Sequence, residues 1–229
     1  MSPSNPQRLL WSACLAWAVT ACAPGAVGDA GRNVAEVRPQ QGAETPRTAP
    51  PLDPDLDRAR AAAQAFSVRL RGRLQAAMQA GGPTVAVEVC HAEAPAIADS
   101  VMAEHGVRLG RVALPGRNRN AGQAAEGWQL ATLEAFQQAV LEGAPAAEQV
   151  SVVREGLPEG VALRLMRGIA TEPGCLACHG AQVAPAVRAA IAAHYPDDAA
   201  TGFAVGDLRG GLWVEVPATA AHTPQEATP

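Results

Sequence analysis

From Asp53 onward, apolar residues recur at helical spacing: Leu56, Ala59, Ala63, Phe66, Leu70 and Leu74. This predicts one long helix. Asp53 suits the N-cap and Pro54 the first turn, and Asp55 and Asp57 favour the positive end of the dipole. Gly81-Gly82-Pro83 ends the pattern. Thr84 to Val89 is short and β-branched and predicts a strand, with Cys90 at the corner that follows. Ala92 to Glu104 predicts a second helix, closed by Gly106. Val107 to Leu114 alternates as a strand does and turns at Pro115-Gly116. Trp128, Leu133, Phe136 and Val140 mark a third helix, ending at Gly143. Val150 to Arg154 and Val161 to Ile169 alternate again. Ala186 to His194 is helical, and Leu212, Val214 and Val216 form a last strand. Five short strands with intervening helices predict an α+β domain around one antiparallel sheet.

The flanks read differently. Residues 1–21 have a basic start at Arg8 and an apolar run from Leu9 to Ala21, the pattern of a secretory signal. The run closes on Val19-Thr20-Ala21-Cys22, which resembles a bacterial lipobox, so Cys22 is the expected lipidation site. Residues 22–52, rich in Gly, Pro, Ala, Gln and Thr, read as a flexible linker. Residues 218–229 read as a polar tail. The folded domain is thus expected over 53–217, long enough for a substantial core.

Removal of the signal takes Arg8 away, leaving 17 basic residues against 22 acidic, a formal charge of −5. A mildly acidic surface gives no support to nucleic-acid binding. The chain has five cysteines. Cys14 leaves with the signal and Cys22 takes the lipid. Cys175 and Cys178 belong to the motif below, so Cys90 is left over as a free thiol or a ligand.

Cys175-Leu176-Ala177-Cys178-His179 is a Cys-x-x-Cys-His sequence, the attachment pattern for c-type haem. Two thiols can add to the two vinyl groups as thioethers, and the adjacent imidazole can reach the iron. A zinc site would need a second ligand pair, which the sequence lacks. A thioredoxin-like dithiol would open a helix after a strand, whereas Pro173-Gly174 reads as a turn. The expected cofactor is one covalent haem c, with His179 on one iron face.

The other face decides the chemistry. Every Met precedes the motif, so the order of a small class I cytochrome, with its Met ligand downstream, does not apply. Strands on both sides of the motif disfavour a four-helix cytochrome. Cys90, His91, Met102, His105, Met166, His194 and an open site all stay as candidates. Thiolate is a known though uncommon haem ligand.

Thr171-Glu172-Pro173-x-Cys175-Leu176-x-Cys178-His179-Gly180 is followed by Tyr195-Pro196-x-Asp198-x-Ala200-Thr201-Gly202-Phe203-x-x-Gly206-Asp207-x-Arg209-Gly210. These runs resemble the Tll-like haem domain family. So do the Val89-Cys90 corner with Ala94 and Ile97-Ala98, the Gly110-Arg111 pair, and Arg117-Asn118. The resemblance covers roughly residues 54–217. It implies a PAS-like domain with one c-type haem, its sheet of about five strands flanked by helices. It also implies a His and Cys axial pair, which maps to His179 and Cys90, and a role in redox or gas sensing. This chain has Arg119 where the family usually has proline, which alters that loop. Arg117 is a candidate for a haem propionate, since guanidinium matches carboxylate geometry. Asp207 and Arg209 read as parts of a Gly-rich turn.

The functional expectation is a non-enzymatic redox or diatomic-gas sensor on the periplasmic side of the envelope, lipid-anchored to the outer membrane. The sequence contains no kinase or cyclase segment, so a sensor would need a redox or signalling partner protein. A periplasmic electron carrier is the second reading, and a peroxidase-like enzyme, with His91 as its acid–base group, is the third.

Overall fold

The computed structural model describes residues 53–218. The signal, Cys22 and the whole linker lie outside the described residues, as does the tail from residue 219.

Helix α1 runs over Pro54–Glu88. Its N-cap is as the sequence predicts: the Asp53 carboxylate accepts from the Leu56 N–H at 2.9 Å. Gly81 and Gly82 break its dihedrals, with φ +75° at Gly82, and helical geometry resumes at Pro83. Here the structure differs from the sequence expectation. Thr84 to Val89 is not a strand: Thr84 to Glu88 are the last turns of α1, and Val89 opens the π turn that follows. The β-branched run favours a strand only weakly. Burying Ala86, Val87 and Val89 against two different clusters decides for helix. The chain then makes a single π turn over Val89–Glu93 and enters α2, Ala94–His105. Gly106 closes α2 in the left-handed region at φ +60°.

Strand β1 covers Arg108–Val112, α3 Gly127–Leu141, β2 Val150–Val153 and β3 Val161–Ala170. The motif sits on the one-turn helix α4, Leu176–His179, followed by α5, Pro185–His194. Strand β4, Leu208–Pro217, comes last in sequence yet lies inside the sheet. The order is β1-β4-β3-β2, every pair antiparallel. The described domain therefore has four strands, not five, because the expected first strand is helical.

Register lays Leu109, Val214, Leu165 and Val152 in one row across all four strands. This face packs on α1, whose Ala59, Ala62 and Ala63 are fully buried. Small residues let the helix axis approach the sheet, while Phe66 and Leu70 fill the remaining space. Each fully buried Leu contributes about 1.5–3 kcal/mol. The opposite face packs Met166 and Trp213 against α3 through Leu133, Phe136 and Trp128. On that face Glu215 accepts from Arg108 and Arg164, an ion-paired row across three strands. A third small cluster joins Val87 of α1 to Val183, Val187 and Ile191, with Cys178 and Tyr195 against it. Among the described residues, no helix is long and apolar enough to cross a membrane.

Candidate cofactor site

A cavity of about 300 Å³ opens where the sheet, α1, the π turn and the Cys-x-x-Cys-His helix meet. Phe66 of α1 closes one wall. Cys90 and His91 come from the π turn, Ala94, Pro95 and Ala98 from α2, Gly110 and Arg111 from β1, Arg119 from the loop after it, and Arg209 from β4. Asn120, Gln123, His179 and Tyr195 complete the lining. The structure thus brings Cys90 and His179 to one space.

His179 is held from several sides. Its Nδ1 donates to the Ala200 carbonyl at 2.7 Å, which fixes the tautomer and leaves the lone pair on Nε2. Nε2 faces Arg209, whose Nη1 lies 3.3 Å away. Burial, helped by Arg209 and Arg119, depresses the imidazole to about 3, so the ring is neutral. A neutral imidazole with its lone pair on Nε2 is what metal ligation requires.

The segment 198–203 builds this environment. The Gly202 and Phe203 N–H groups donate to the Gly180 and His179 carbonyls, at 3.1 and 3.0 Å. The Ala199 N–H donates to Asn118 at 3.0 Å. Asp198 accepts from the Ala200 N–H at 3.0 Å and from Arg119. Arg119 also donates to the Cys178 carbonyl at 2.7 Å. The altered loop position therefore ties β1's exit to the motif helix.

Cys175 and Cys178 are both part-buried and free. The Cys175 sulfur accepts from the Glu172 N–H at 3.4 Å. Burial pushes the Cys178 thiol up, against the pull of Arg119. Cys90 is also free and part-buried, and it stands on the π turn. Single π turns inside helices are frequent at functional sites.

The remaining candidates are placed as follows. His91 lines the cavity and stacks on His194 at 4.3 Å, with Tyr195 edge-on. His194 also contacts Glu88 at 2.6 Å. Met166 is fully buried in the α3-side cluster, away from the cavity lining. Met102 packs against the α1-side core, and His105 ends α2. Arg117 does not line the larger cavity. Its guanidinium lies 3.9 Å over the Phe203 ring, which is nearly perpendicular to the His179 ring at 6.3 Å between centroids, and it borders a smaller adjoining cavity. Asp207 does hold a turn, accepting from the Ala204 N–H at 2.8 Å. Arg209, read from sequence as turn, is instead part-buried in β4 beside His179. Only the alternation of β4, extended back from Leu212, could have pointed to it.

Sequence reading also missed the charge of the site. Three arginines, Arg111, Arg119 and Arg209, line the cavity, and among the described residues no carboxylate does. Burial lowers the pKa of Arg111 and of Arg209. The paired thiols, the neutral imidazole and the cationic wall fit a haem, whose rim is vinyl on one side and carboxylate on the other.

An α+β domain with a Cys-x-x-Cys-His turn, a third thiol and a cationic wall around one cavity has the makings of a cofactor-binding module. The chain belongs to the Tll0287-like family, whose model matches residues 37–217. Among solved structures it is similar to the cyanobacterial haem protein Tll0287, with 32% identity over 57% of this chain and 73% of that one, at a TM-score of 0.45. No curated protein matches the chain.

Proposed function

We propose that this is an exported, lipid-anchored protein that carries one covalent c-type haem and senses redox state or a diatomic gas. Cys175 and Cys178 would hold the group as thioethers, with His179 and Cys90 as axial ligands. The observation that carries this reading is the shared cavity. A neutral imidazole and a lone thiol face one space, beside a paired-thiol motif and among arginines. Membership of a family named for a haem protein supports it.

Bound haem would supply an iron centre that exchanges one electron and one axial ligand. The chain's own residues do the rest. His179 is fixed by Ala200 and by the two strand-like contacts behind it, so it stays. Cys90 stands on one π turn between a glycine break and α2. Arg111 lines the same cavity. In the reduced state Cys90 would take up a proton and leave, freeing the turn to relax. Two such states are what a sensor needs, and a partner protein would read the movement. No catalytic role is assigned. The protein would sit on the periplasmic side of the envelope, anchored through Cys22.

A redox titration followed by optical and electron-spin spectra tests the reading. Thiolate ligation in the ferric protein should disappear on reduction. Unchanged ligands in both states would make the protein an electron carrier, and an open ferric site would point to catalysis.

A further inference from the structure

We propose that Arg111 and Arg209 form a two-guanidinium anion site that takes the two propionate carboxylates of the haem. This rests on the haem reading above. The two arginines come from the paired strands β1 and β4 and line both the main cavity and its smaller neighbour. Among the described residues, neither cavity has a lining carboxylate, and neither arginine has one within ion-pair distance.

The third lining arginine is different. Arg119 is already neutralised by Asp198, with contacts of 3.0 and 3.3 Å. Arg117, the residue that sequence favours for this role, is committed to the face of Phe203. That leaves Arg111 and Arg209 as the arginines of the main cavity's lining without a carboxylate partner.

Arg209 carries the sharper signal. Its Nε is a buried donor without a partner, one of three such side-chain atoms among the described residues. Its Nη1 meets only the neutral ring nitrogen of His179, at 3.3 Å. Buried donors are nearly always satisfied, and leaving one unpaired costs roughly 1–3 kcal/mol. A carboxylate accepts from Nε and a terminal nitrogen together, in the fork geometry that guanidinium favours. Two carboxylates on one rigid group match two guanidiniums on adjacent strands.

The test uses the full haem-loaded protein. Arg111, Arg209 and Arg117 are each replaced by Gln, and two quantities are followed: the midpoint potential and the propionate-bending band in resonance Raman spectra. Arg111→Gln and Arg209→Gln should each shift the band. Each should also make reduction about tenfold less favourable, 59 mV for a one-electron couple, because a cation near the iron is gone. Arg117→Gln should leave the band unchanged. Arg111→Lys and Arg209→Lys should hold the potential to within about twofold yet still shift the band, since an ammonium lacks the fork. The Lys variants decide the question if a Gln variant fails to fold. An unmoved band in every Arg111 and Arg209 variant overturns the assignment, as does a shift confined to Arg117→Gln. A wild-type potential that moves with added inorganic phosphate would put a free anion on the pair and overturn it too. A wild type without covalent haem would instead overturn the functional reading, an outcome distinct from all of these.

Discussion

Arg119 and Asp198 lie 79 positions apart in sequence and are joined by contacts of 3.0 and 3.3 Å. Their side chains are only 9% and 11% exposed. The guanidinium also holds the Cys178 carbonyl, and the carboxylate also holds the Ala200 N–H. Ala200 in turn orients His179. One ion pair therefore sets the exit of β1, the motif helix and the segment that fixes the imidazole.

Asp198→Asn tests this arrangement. It keeps the shape but leaves Arg119 buried without its charge partner, and breaking a buried pair costs about 3–5 kcal/mol. The urea midpoint should fall with an unchanged slope, and the haem spectrum should broaden as His179 loses its fixed orientation. A variant with wild-type stability and spectrum would show that the pair does neither job.

Covalent attachment should need both motif thiols. In Cys175→Ala/Cys178→Ala, haem stain that survives denaturation should vanish. Stain persisting in the double variant would contradict the attachment reading.

Cys90 separates a ligand from an inert thiol. Cys90→Ala should keep the haem attached but open the sixth position, so the ferric form becomes high-spin or binds water. Loss of an anionic ligand should raise the potential, favouring reduction by about tenfold or more. Cys90→Ser nearly preserves volume and removes soft donation, so it should behave alike. An inert thiol would leave spectrum and potential untouched in both variants.

Acid should weaken the fold through His179. The folded imidazole titrates near 3 rather than 6.5, so between these values the unfolded chain binds the extra proton. The contribution is whole above about pH 6.5 and falls toward pH 3, by at most roughly 1.4 kcal/mol per pH unit. Denaturation of the Cys175→Ala/Cys178→Ala protein across this range, where no iron competes for the ring, should show that slope. Adding His179→Gln should reduce it by that amount, and an equal slope in both would rule the residue out.

Lipid attachment should depend on Cys22. The mature mass of the wild type should include the lipid on that residue, and Cys22→Ser should abolish it. An unmodified Cys22, or cleavage elsewhere, would refute the anchor.

Much of the scaffold was legible because its signals are local. Asp53 caps α1, Gly106 closes α2, and Gly143 follows α3, each where spacing places it. The motif helix follows a turn at Pro173, as Pro173-Gly174 implies. Thr84 to Val89 misled because β-branching is a weak preference, overruled when Val87 and Val89 found apolar neighbours from distant segments. Cys90 was legible as a leftover thiol, but not its π turn, since no residue type marks one. Arg209 was hidden by the glycines around it, which read as a turn while the chain was already in β4. Arg119 showed as a departure from the family pattern, and only its contact with Asp198 gives that departure a purpose.

The placement of β4 bears on the order of assembly. Of the described strands this one comes last in sequence, yet it sits between β1 and β3 and supplies Arg209 to the cavity wall. The cavity therefore cannot close until the final strand has been threaded between two earlier ones. The Cys-x-x-Cys-His turn precedes β4 in the chain, so both motif thiols would be accessible before that strand pairs. Timing, and not only geometry, would let a bulky group enter before the domain shuts around it.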